Sequence, residues 1–288
     1  MSAPRDRPVH LPARRGAARL AARVAHVIVP ACCAGCGGAL SPARPPFGLC
    51  ARCRGRLVLA APRGAGCPCC GGPVPEPPGR SSAPACDACR RRPPAFERLV
   101  APWSYRPPLS EVAKALKYGR LPHLGDRLAR PLAAALRAEE GIASGPGACQ
   151  LVVPVALHWR RRLARGYDQA ERIARPLARE LGLPCRAALT RVRPTPPQTA
   201  LARAARRANV RGAFCVRRSA AARVAGLRVL VVDDVATTGA TLDAAARALL
   251  AAGARTVVAA AVARTPDGRP QDARDDAPAG RRARPRFD

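Results

Sequence analysis

The chain has 288 residues, 48% of them hydrophobic, and a formal net charge of +31 at pH 7. This length excludes a chain too short to bury a core and predicts one ordinary domain plus a smaller module. The charge favours a nucleic-acid partner, because arginines that neutralise phosphates release counterions. However, Lys114 and Lys117 are the only lysines among 50 basic residues. A GC-rich genome also produces such an arginine excess, so both explanations stay open.

Residues 1–29 are predicted to form an N-terminal arm, rich in arginine and proline over residues 1–16, followed by a short amphipathic helix. Arg19, Arg23 and His26 interrupt the apolar stretch of residues 17–29, and no small-residue cleavage site follows it. The stretch is also too short to span a bilayer. We therefore expect a cytoplasmic protein with no export signal and no membrane span.

Ten of the 13 cysteines lie between Cys32 and Cys89. Eight of them form Cys-x-x-Cys pairs, a spacing that lets two sulfurs face one tetrahedral ion about 2.3 Å away. The four pairs are Cys33 with Cys36, Cys50 with Cys53, Cys67 with Cys70, and Cys86 with Cys89. Residues 30–93 are therefore predicted to form a small double zinc ribbon, in which two structural Zn²⁺ ions replace the missing core.

The pairing of these cysteines leaves alternatives. The simplest arrangement gives one ion to the first two pairs and one to the last two, but an interleaved arrangement or an iron–sulfur cluster is also compatible with the spacing. Cys32 and Cys69 adjoin ligands and leave the register open by one residue. Cys149, Cys185 and Cys215 are isolated and are predicted to be small buried apolar groups.

Residues 96–266 show strands alternating with helices, which favours an α/β domain with a parallel, doubly wound sheet. Strands are predicted at residues 99–105, 151–155, 228–232 and 256–262, and helices at residues 109–118, 168–181 and 241–252. Pro131 and Pro176 are expected to kink or restart helices. Residues 267–288 are predicted to be a disordered tail.

An apolar run at residues 229–232 ends in Asp233 and Asp234, at the sheet edge where doubly wound folds place ligands. The small residues that follow let backbone N–H groups converge on one anion, while threonine hydroxyls and a helix start add donors. These anion-binding candidates are Ala236, Thr237, Thr238, Gly239, Ala240 and Thr241. Carboxylates can accept from ribose hydroxyls, so the pattern indicates a phosphorylated sugar. The alternative is an aspartate-capped turn with no ligand.

Residues 229–241 match, at every defining position, the ribose-phosphate signature of type I phosphoribosyltransferases. Further motifs occur in the order seen in ComF-type proteins: Lys114-Ala-Leu-Lys117-Tyr-Gly119, Val153-Pro154-Val155, Arg165-Gly166-Tyr167-Asp168-Gln169, Arg191-x-Arg193-x-x-x-Pro197-Gln198-Thr199 and Arg206-x-x-Asn209. The chain thus resembles the ComF family over residues 27–265. The resemblance implies a zinc-ribbon module followed by a type I phosphoribosyltransferase-like domain that binds phosphoribosyl pyrophosphate with Mg²⁺.

The resemblance also implies roles for individual residues. The loop that begins at Val155 resembles the pyrophosphate-binding loop, and Arg165 lies in the active-site stretch. Arg193 and Arg206 border a segment that resembles a hood and are candidates to pair with the leaving pyrophosphate. Asp168 stands where asparagine is more usual, and it is a candidate helix cap.

The catalytic candidates are Asp233, Asp234 and Arg165. No general base is evident, but leaving-group stabilisation by Mg²⁺ and arginine can suffice for ribosyl transfer. We expect a phosphoribosyltransferase-like protein of the competence type, which handles single-stranded DNA with a helicase-type partner. The alternative is a zinc-ribbon DNA-binding or adaptor protein with a non-catalytic loop. The low aromatic content, 3%, argues against extensive base stacking.

Overall fold

The computed structural model describes residues 32–40, 45–60, 66–72, 74, 85–118, 121–145, 147–193 and 210–266. The predicted N-terminal arm, the C-terminal tail and most of the predicted hood, including Arg206, lie outside the described residues.

The strands of the described chain build one parallel sheet and one small ribbon. They are β1 Leu99–Val100, β2 Trp103–Ser104, β3 Leu151–Pro154, β4 Leu189–Arg191, β5 Phe214–Val216, β6 Arg228–Ala236 and β7 Thr256–Arg264. The sheet runs β3, β6, β7, and then β1 and β2, which pair with successive parts of β7. All of these pairings are parallel, whereas β4 and β5 form an antiparallel ribbon. The predicted parallel sheet is therefore confirmed.

The described helices precede β1 or lie between successive strands. They are α1 Ala51–Arg54, α2 Asp87–Arg91, α3 Leu109–Tyr118, α4 Leu124–Arg137, α5 Trp159–Arg165, α6 Gln169–Leu181, α7 Arg218–Ala221 and α8 Ala240–Ala251, preceded by a 3₁₀ turn at Pro46–Gly48.

Both faces of the sheet are covered, as a doubly wound fold requires. Leu230 and Val232 of β6 point into a core shared with helices α3, α4 and α6. Val229 and Val231 point into a second core shared with α8. Because successive side chains of a strand point to opposite faces, the continuous apolar run of β6 is what a strand buried on both sides needs.

Two strands differ from the prediction at their bounds. The predicted strand of residues 228–232 continues to Ala236, because β7 pairs with it over that length and Ala236 lies opposite Arg264. The predicted strand of residues 99–105 divides into β1 and β2. Pro102, which separates them, has no N–H to donate to a ladder.

The two internal prolines do not restart helices. Helix α4 continues through Pro131 and helix α6 through Pro176. An interior proline costs about 3 kcal/mol. Both helices bury an apolar face, with Leu132 and Leu177 fully inaccessible, and burial of such side chains offsets that cost.

The isolated cysteines differ from one another. Cys149 is buried, as predicted, and Cys185 is half-buried, whereas Cys215 is exposed and the prediction for it is wrong. Cys215 lies in β5, whose ribbon is covered on one face only, so alternate side chains point outward. No helix within the described residues has both the length and the apolar character needed to cross a bilayer.

Candidate functional site

The phosphate loop, which we define as residues 237–239, joins the end of β6 to the start of α8. Gly239 has a φ of +74° and precedes the first helical residue. This left-handed conformation is strained for other residues, so glycine is required there. Thr238 is 8% exposed, and its hydroxyl accepts from the N–H of Ala240 at 3.3 Å. The loop thus leads directly into a helix N-terminus, where the helix dipole favours an anion.

The acidic pair, Asp233 and Asp234, lies in the last part of strand β6, shortly before the loop. Asp234 is 5% exposed, and its Oδ2 lies 2.8 Å from Nζ of Lys117 in helix α3. The backbone N–H of Asp234 donates to Oδ1 of Asp233 at 2.8 Å. One carboxylate is therefore neutralised by a lysine, while the other is held by a backbone donor and is less buried.

The electrostatics of the pair separate the two carboxyl groups. Burial, reinforced by the charge of Asp234, raises the pKa of Asp233 well above its usual value. Burial would also raise the pKa of Asp234, but Lys117 lowers it overall. Burial would lower the pKa of Lys117, but Asp234 raises it overall. Asp234 and Lys117 therefore form an ionised pair, whereas the carboxyl group of Asp233 favours its neutral form. A bound cation or a further hydrogen-bond donor would favour ionisation of Asp233.

Lys117 is a site residue that the sequence analysis quoted in a motif without giving it a role. One compositional signal pointed to it. In a chain whose basic residues are otherwise arginine, both lysines fall in helix α3.

Two of the quoted motifs meet in the structure. The guanidinium of Arg165 stacks over the ring of Tyr118 at 5.1 Å and donates to Gln169 at 3.0 Å. The hydroxyl of Tyr167 donates to the carbonyl of Leu116, one residue before Lys117. The structure thus brings Arg165 to Tyr118 at the C-terminal end of α3, the helix whose Lys117 pairs with Asp234.

Asp168 caps helix α6, as the sequence analysis expected. Its Oδ1 accepts from the N–H groups of Ala170 and Glu171, at 3.0 and 3.3 Å. Its other oxygen accepts from the N–H of Leu157 at 2.7 Å. Burial raises the pKa of Asp168, although the Leu157 donor opposes this. Asp168 therefore braces the loop after β3 instead of standing free as a ligand contact.

That loop runs beside the acidic pair. Val155 is buried, and its N–H donates to the carbonyl of Val232 at 2.8 Å, next to Asp233. His158 precedes helix α5 and is 6% exposed. Burial, together with the charges of Arg191 and of Arg160, lowers the pKa of His158. The neutral imidazole is thus the favoured form in a strongly basic environment.

The β4–β5 ribbon adjoins the predicted hood. Arg193 follows β4 and donates to the carbonyl of Arg211. Arg191, which the sequence analysis quoted without a role, stacks over the ring of Phe214 at 5.3 Å. Burial, reinforced by Arg161, lowers the pKa of Arg191, and attraction to Asp233 opposes this. The charge of Asp233 therefore acts on Arg191 in the ribbon.

The cysteines form two clusters of four. The first cysteine cluster is Cys33, Cys36, Cys50 and Cys53, and the second is Cys67, Cys70, Cys86 and Cys89. Within each cluster all sulfurs lie within 4.8 Å of one another. Sequential pairing is thus what the structure shows, and Cys32 and Cys69 belong to neither cluster.

The sulfur geometry fits zinc. A tetrahedral ion with Zn–S distances of about 2.3 Å requires sulfurs about 3.8 Å apart. Cys36 and Cys50 are 3.9 Å apart, and Cys70 and Cys86 are 3.8 Å apart. Four thiolates at this spacing can hold one Zn²⁺ ion in each cluster.

Backbone donors prepare the sulfurs for a cation. The N–H of Cys50 donates to Sγ of Cys33 at 3.3 Å, and the N–H of Cys86 donates to Sγ of Cys67 at the same distance. Burial would raise the pKa of Cys33, but backbone N–H donors, foremost that of Cys50, lower it to about 6. Burial would also raise the pKa of Cys67, but backbone N–H donors, foremost that of Cys86, lower it to about 7. At neutral pH each cluster thus offers a thiolate to a metal.

A cavity of about 740 Å³ lies between the second cysteine cluster and the phosphate loop. Cys70 and Cys89 line one side, and Thr238 and Gly239 line another. Three arginines also line it, namely Arg92, Arg211 and Arg247, together with the acid Asp243, which pairs with Arg247. The cavity is therefore positively charged and opens beside the loop.

Comparison with known proteins gives consistent matches. Residues 168–277 match the sequence model of the family described as the phosphoribosyl transferase domain. The chain is 36% identical over 227 residues to the DNA utilization protein YhgH of Salmonella typhimurium, which covers 76% of this chain and 91% of that protein. It is 34% identical over 201 residues to the protein of that name in Escherichia coli K12, covering 69% and 84%. It is 30% identical over 212 residues to competence protein F of Haemophilus influenzae, covering 73% and 87%.

Solved structures show weaker likenesses. The glutamine phosphoribosylpyrophosphate amidotransferase from B. subtilis, complexed with ADP and GMP, is 20% identical over 48% of this chain and 26% of that chain, with a TM-score of 0.31. The hypoxanthine phosphoribosyl transferase of Trypanosoma cruzi is 13% identical over 52% and 68%, with a TM-score of 0.26.

Proposed function

This chain belongs to the family of DNA utilization protein YhgH and competence protein F, and we propose that its phosphate loop and acidic pair bind phosphoribosyl pyrophosphate with Mg²⁺. The observation that carries the proposal is the junction of β6 with α8. It places two carboxylates, a left-handed glycine and a helix N-terminus within a few residues at the carboxyl edge of a parallel sheet.

Each part of this junction has a distinct role in the proposal. The backbone N–H groups of residues 236–241 hold the 5′-phosphate, assisted by the hydroxyls of Thr237, Thr238 and Thr241. Asp233 and Asp234 accept from the ribose hydroxyls, and Lys117 keeps Asp234 ionised in a buried place. Val155 and the loop after it face the pyrophosphate.

We further propose that the site belongs to a phosphoribosyltransferase, which transfers the ribosyl group to an acceptor. The reaction develops positive charge at the anomeric carbon and negative charge on the leaving pyrophosphate. A bound Mg²⁺ would neutralise part of the pyrophosphate charge. Arg165, Arg193 and Arg206 would add charge-assisted hydrogen bonds to that group, and the acidic pair would stabilise the cationic ribosyl carbon.

Calorimetric titration with phosphoribosyl pyrophosphate in the presence of Mg²⁺ tests the binding step. A hydrogen bond to a charged group contributes about 1.5–3 kcal/mol. We therefore expect the Asp233→Ala/Asp234→Ala variant to bind at least about 100-fold more weakly than the wild type. The matched control, Asp126→Ala/Glu139→Ala, removes two acids from the surface of the α4 region and should bind normally. No heat with the zinc-loaded wild type would sink the proposal.

A second proposed function is handling of single-stranded DNA in the cytoplasm, with a helicase-type partner. In this proposal the zinc ribbons of residues 30–93 and the domain of residues 96–266 both contribute to DNA binding. The supporting observation is the cavity beside the phosphate loop, because Arg92 and Arg211 line it and no described carboxylate pairs with either. Such arginines suit the phosphates of a strand.

Fluorescence anisotropy on labelled single-stranded DNA tests this second function. Each phosphate neutralised on a single strand contributes about 0.7 to the slope of log affinity against log salt. Arg92→Gln/Arg211→Gln should therefore lower the slope by about 1.4. The control Arg130→Gln/Arg255→Gln removes two exposed arginines elsewhere and should change it less. Binding that disappears when residues 1–16 and 268–288 are deleted would show instead that only the tails bind.

A further inference from the structure

One arginine connects the sheet to the second cysteine cluster. Arg264, the last residue of β7, is 6% exposed. Its Nη1 donates to the carbonyl of Cys70 at 2.6 Å, and its Nη2 lies 3.6 Å from Sγ of the same cysteine. A β-carbon added at Gly72 would come within 2.9 Å of Nη2, so the chain leaves room for the guanidinium there.

The burial of this guanidinium requires a counter-charge. Within the described residues no carboxylate pairs with Arg264, and its Nε has no hydrogen-bond partner. Burying an unpaired charge is very unfavourable. Four thiolates around one divalent cation carry a net charge of −2, and Cys70 is one of those ligands. The loaded second cluster therefore supplies the missing negative charge.

The backbone of Arg264 reaches the phosphate loop. Arg264 lies opposite Ala236, the last residue of β6, and the N–H of the next residue, Thr265, donates to the carbonyl of Ala236 at 3.1 Å. The loop begins immediately after Ala236. The side chain and the backbone of this segment thus link a metal ligand to the start of the loop.

The far end of the loop contacts the segment that follows the second cluster. Ala95 follows helix α2 of the second cluster by four residues, and its N–H donates to Oδ1 of Asp243 in the first turn of α8 at 2.7 Å. A β-carbon at Gly239 would lie 3.7 Å from the ring of Phe96, the residue after Ala95. The contact of Arg264 with Cys70 and the contact of the segment after α2 with α8 therefore flank the phosphate loop.

We propose that Arg264 is a positioning residue through which metal at the second cysteine cluster and the ligand of the phosphate loop stabilise each other. This rests on the proposed function in its choice of ligand, although the link between Arg264 and the metal stands without it. Metal at the second cluster fixes Arg264, and Arg264 fixes the strand end from which the loop amides project. By linkage, a ligand on the loop tightens the hold of the second cluster on its metal, by a coupling typically about 5–150-fold.

The metal side is tested on the zinc-loaded full chain with Arg264→Lys and Arg264→Met. Alkylation by N-ethylmaleimide, followed by peptide mapping, reports each cluster separately, so the first cluster is an internal control. Loss of an outer partner of a metal ligand costs about 10–100-fold in metal affinity. We expect alkylation of Cys67, Cys70, Cys86 and Cys89 to accelerate by a factor of this order, more for methionine than for lysine, while the first cluster is unchanged.

Arg228→Lys is the matched control for general loosening. Arg228 is also a poorly exposed arginine of the sheet, but it lies at the opposite end of β6 and bonds to Glu97 and to the carbonyl of Gly141. Equal acceleration at both clusters, or the same change in Arg228→Lys, would overturn the role of Arg264. If the methionine variant does not fold, the lysine variant still distinguishes these outcomes.

The coupling is tested on the wild type alone. Mg²⁺ with phosphoribosyl pyrophosphate should slow alkylation of the second cluster at least about fivefold and leave the first unchanged. Equal protection of both clusters, or of neither while calorimetry shows binding, would overturn the coupling. Absence of binding in calorimetry would instead defeat the proposed function. In that case hydrogen exchange decides, because metal removal from the second cluster must still deprotect the amides of residues 236–241.

Discussion

The two cysteine clusters have the same local geometry but different surroundings. In both, a glycine follows the second cysteine, and its N–H donates to the carbonyl of the first, as between Gly37 and Cys33 and between Gly71 and Cys67. The first cluster, however, shares the main core, where Leu49 is fully buried. The second has a small apolar cluster of its own and a hydrogen-bonded arginine.

This difference assigns each cysteine cluster to one half of the candidate site. The 3₁₀ turn beside the first cluster contacts helices α3 and α4, and α3 carries Lys117 to the acidic pair. Cys70 of the second cluster contacts Arg264, which lies opposite the end of β6, and the segment that follows this cluster contacts α8. One module therefore stabilises the charge-pair half of the site, and the other stabilises the phosphate half.

Replacement of Lys117 tests the ion pair between Lys117 and Asp234. Removing one partner of a buried ion pair leaves an uncompensated charge, at a cost of about 3–5 kcal/mol. Lys117→Met should lower the free energy of unfolding by this amount in denaturant titrations near pH 7. That pH lies above the range where Asp234 loses its ionised form and below the range where Lys117 does, so the pair contributes fully. Lys117→Met/Asp234→Asn should recover most of the loss, and a double variant as unstable as the single one would contradict the pairing.

The packing of the two modules can be compared by truncation. Leu49→Ala removes a fully buried side chain from the shared core and should cost about 2–5 kcal/mol of global stability. Val74→Ala removes a partly buried side chain beside the second cluster and should cost less than about 1.6 kcal/mol. Thermal unfolding of the zinc-loaded variants measures both. Equal losses per carbon removed would show that the first module is no better integrated than the second.

The acidic pair predicts opposite pH trends for stability and for binding. Because the folded pKa of Asp233 is raised, its contribution to stability is fully present below about pH 3.9 and is lost as the pH rises through the folded value. A ligand that needs the carboxylate binds more tightly over the same rise, by up to about tenfold per pH unit. Asp233→Asn should remove both trends. Calorimetry and unfolding across pH test this, and an unchanged stability slope in the variant would refute the assignment.

Local patterns in the sequence were enough to predict the parallel α/β domain, the junction of β6 with α8 and the cysteine sets. Those features depend on alternation, on small residues after an apolar run and on Cys-x-x-Cys spacing. Helices α5 and α7 escaped prediction, since they bury no side chain and give no apolar period.

The contacts that complete the site also escaped prediction, for a different reason. Lys117 meets Asp234, and Arg264 meets Cys70, across long stretches of chain. Their proximity results from strand order and helix placement, which no single segment encodes. A single sequence does not distinguish an arginine that is buried against a metal ligand from an exposed arginine.

Hydrogen exchange measured by mass spectrometry tests most directly the claim that phosphoribosyl pyrophosphate binds at the phosphate loop. With Mg²⁺ and the ligand, the zinc-loaded protein should gain protection first at the amides of residues 236–241, and the gain should vanish in Asp233→Ala/Asp234→Ala. Protection confined to other parts of the chain, or a pattern identical in that variant, would contradict the claim.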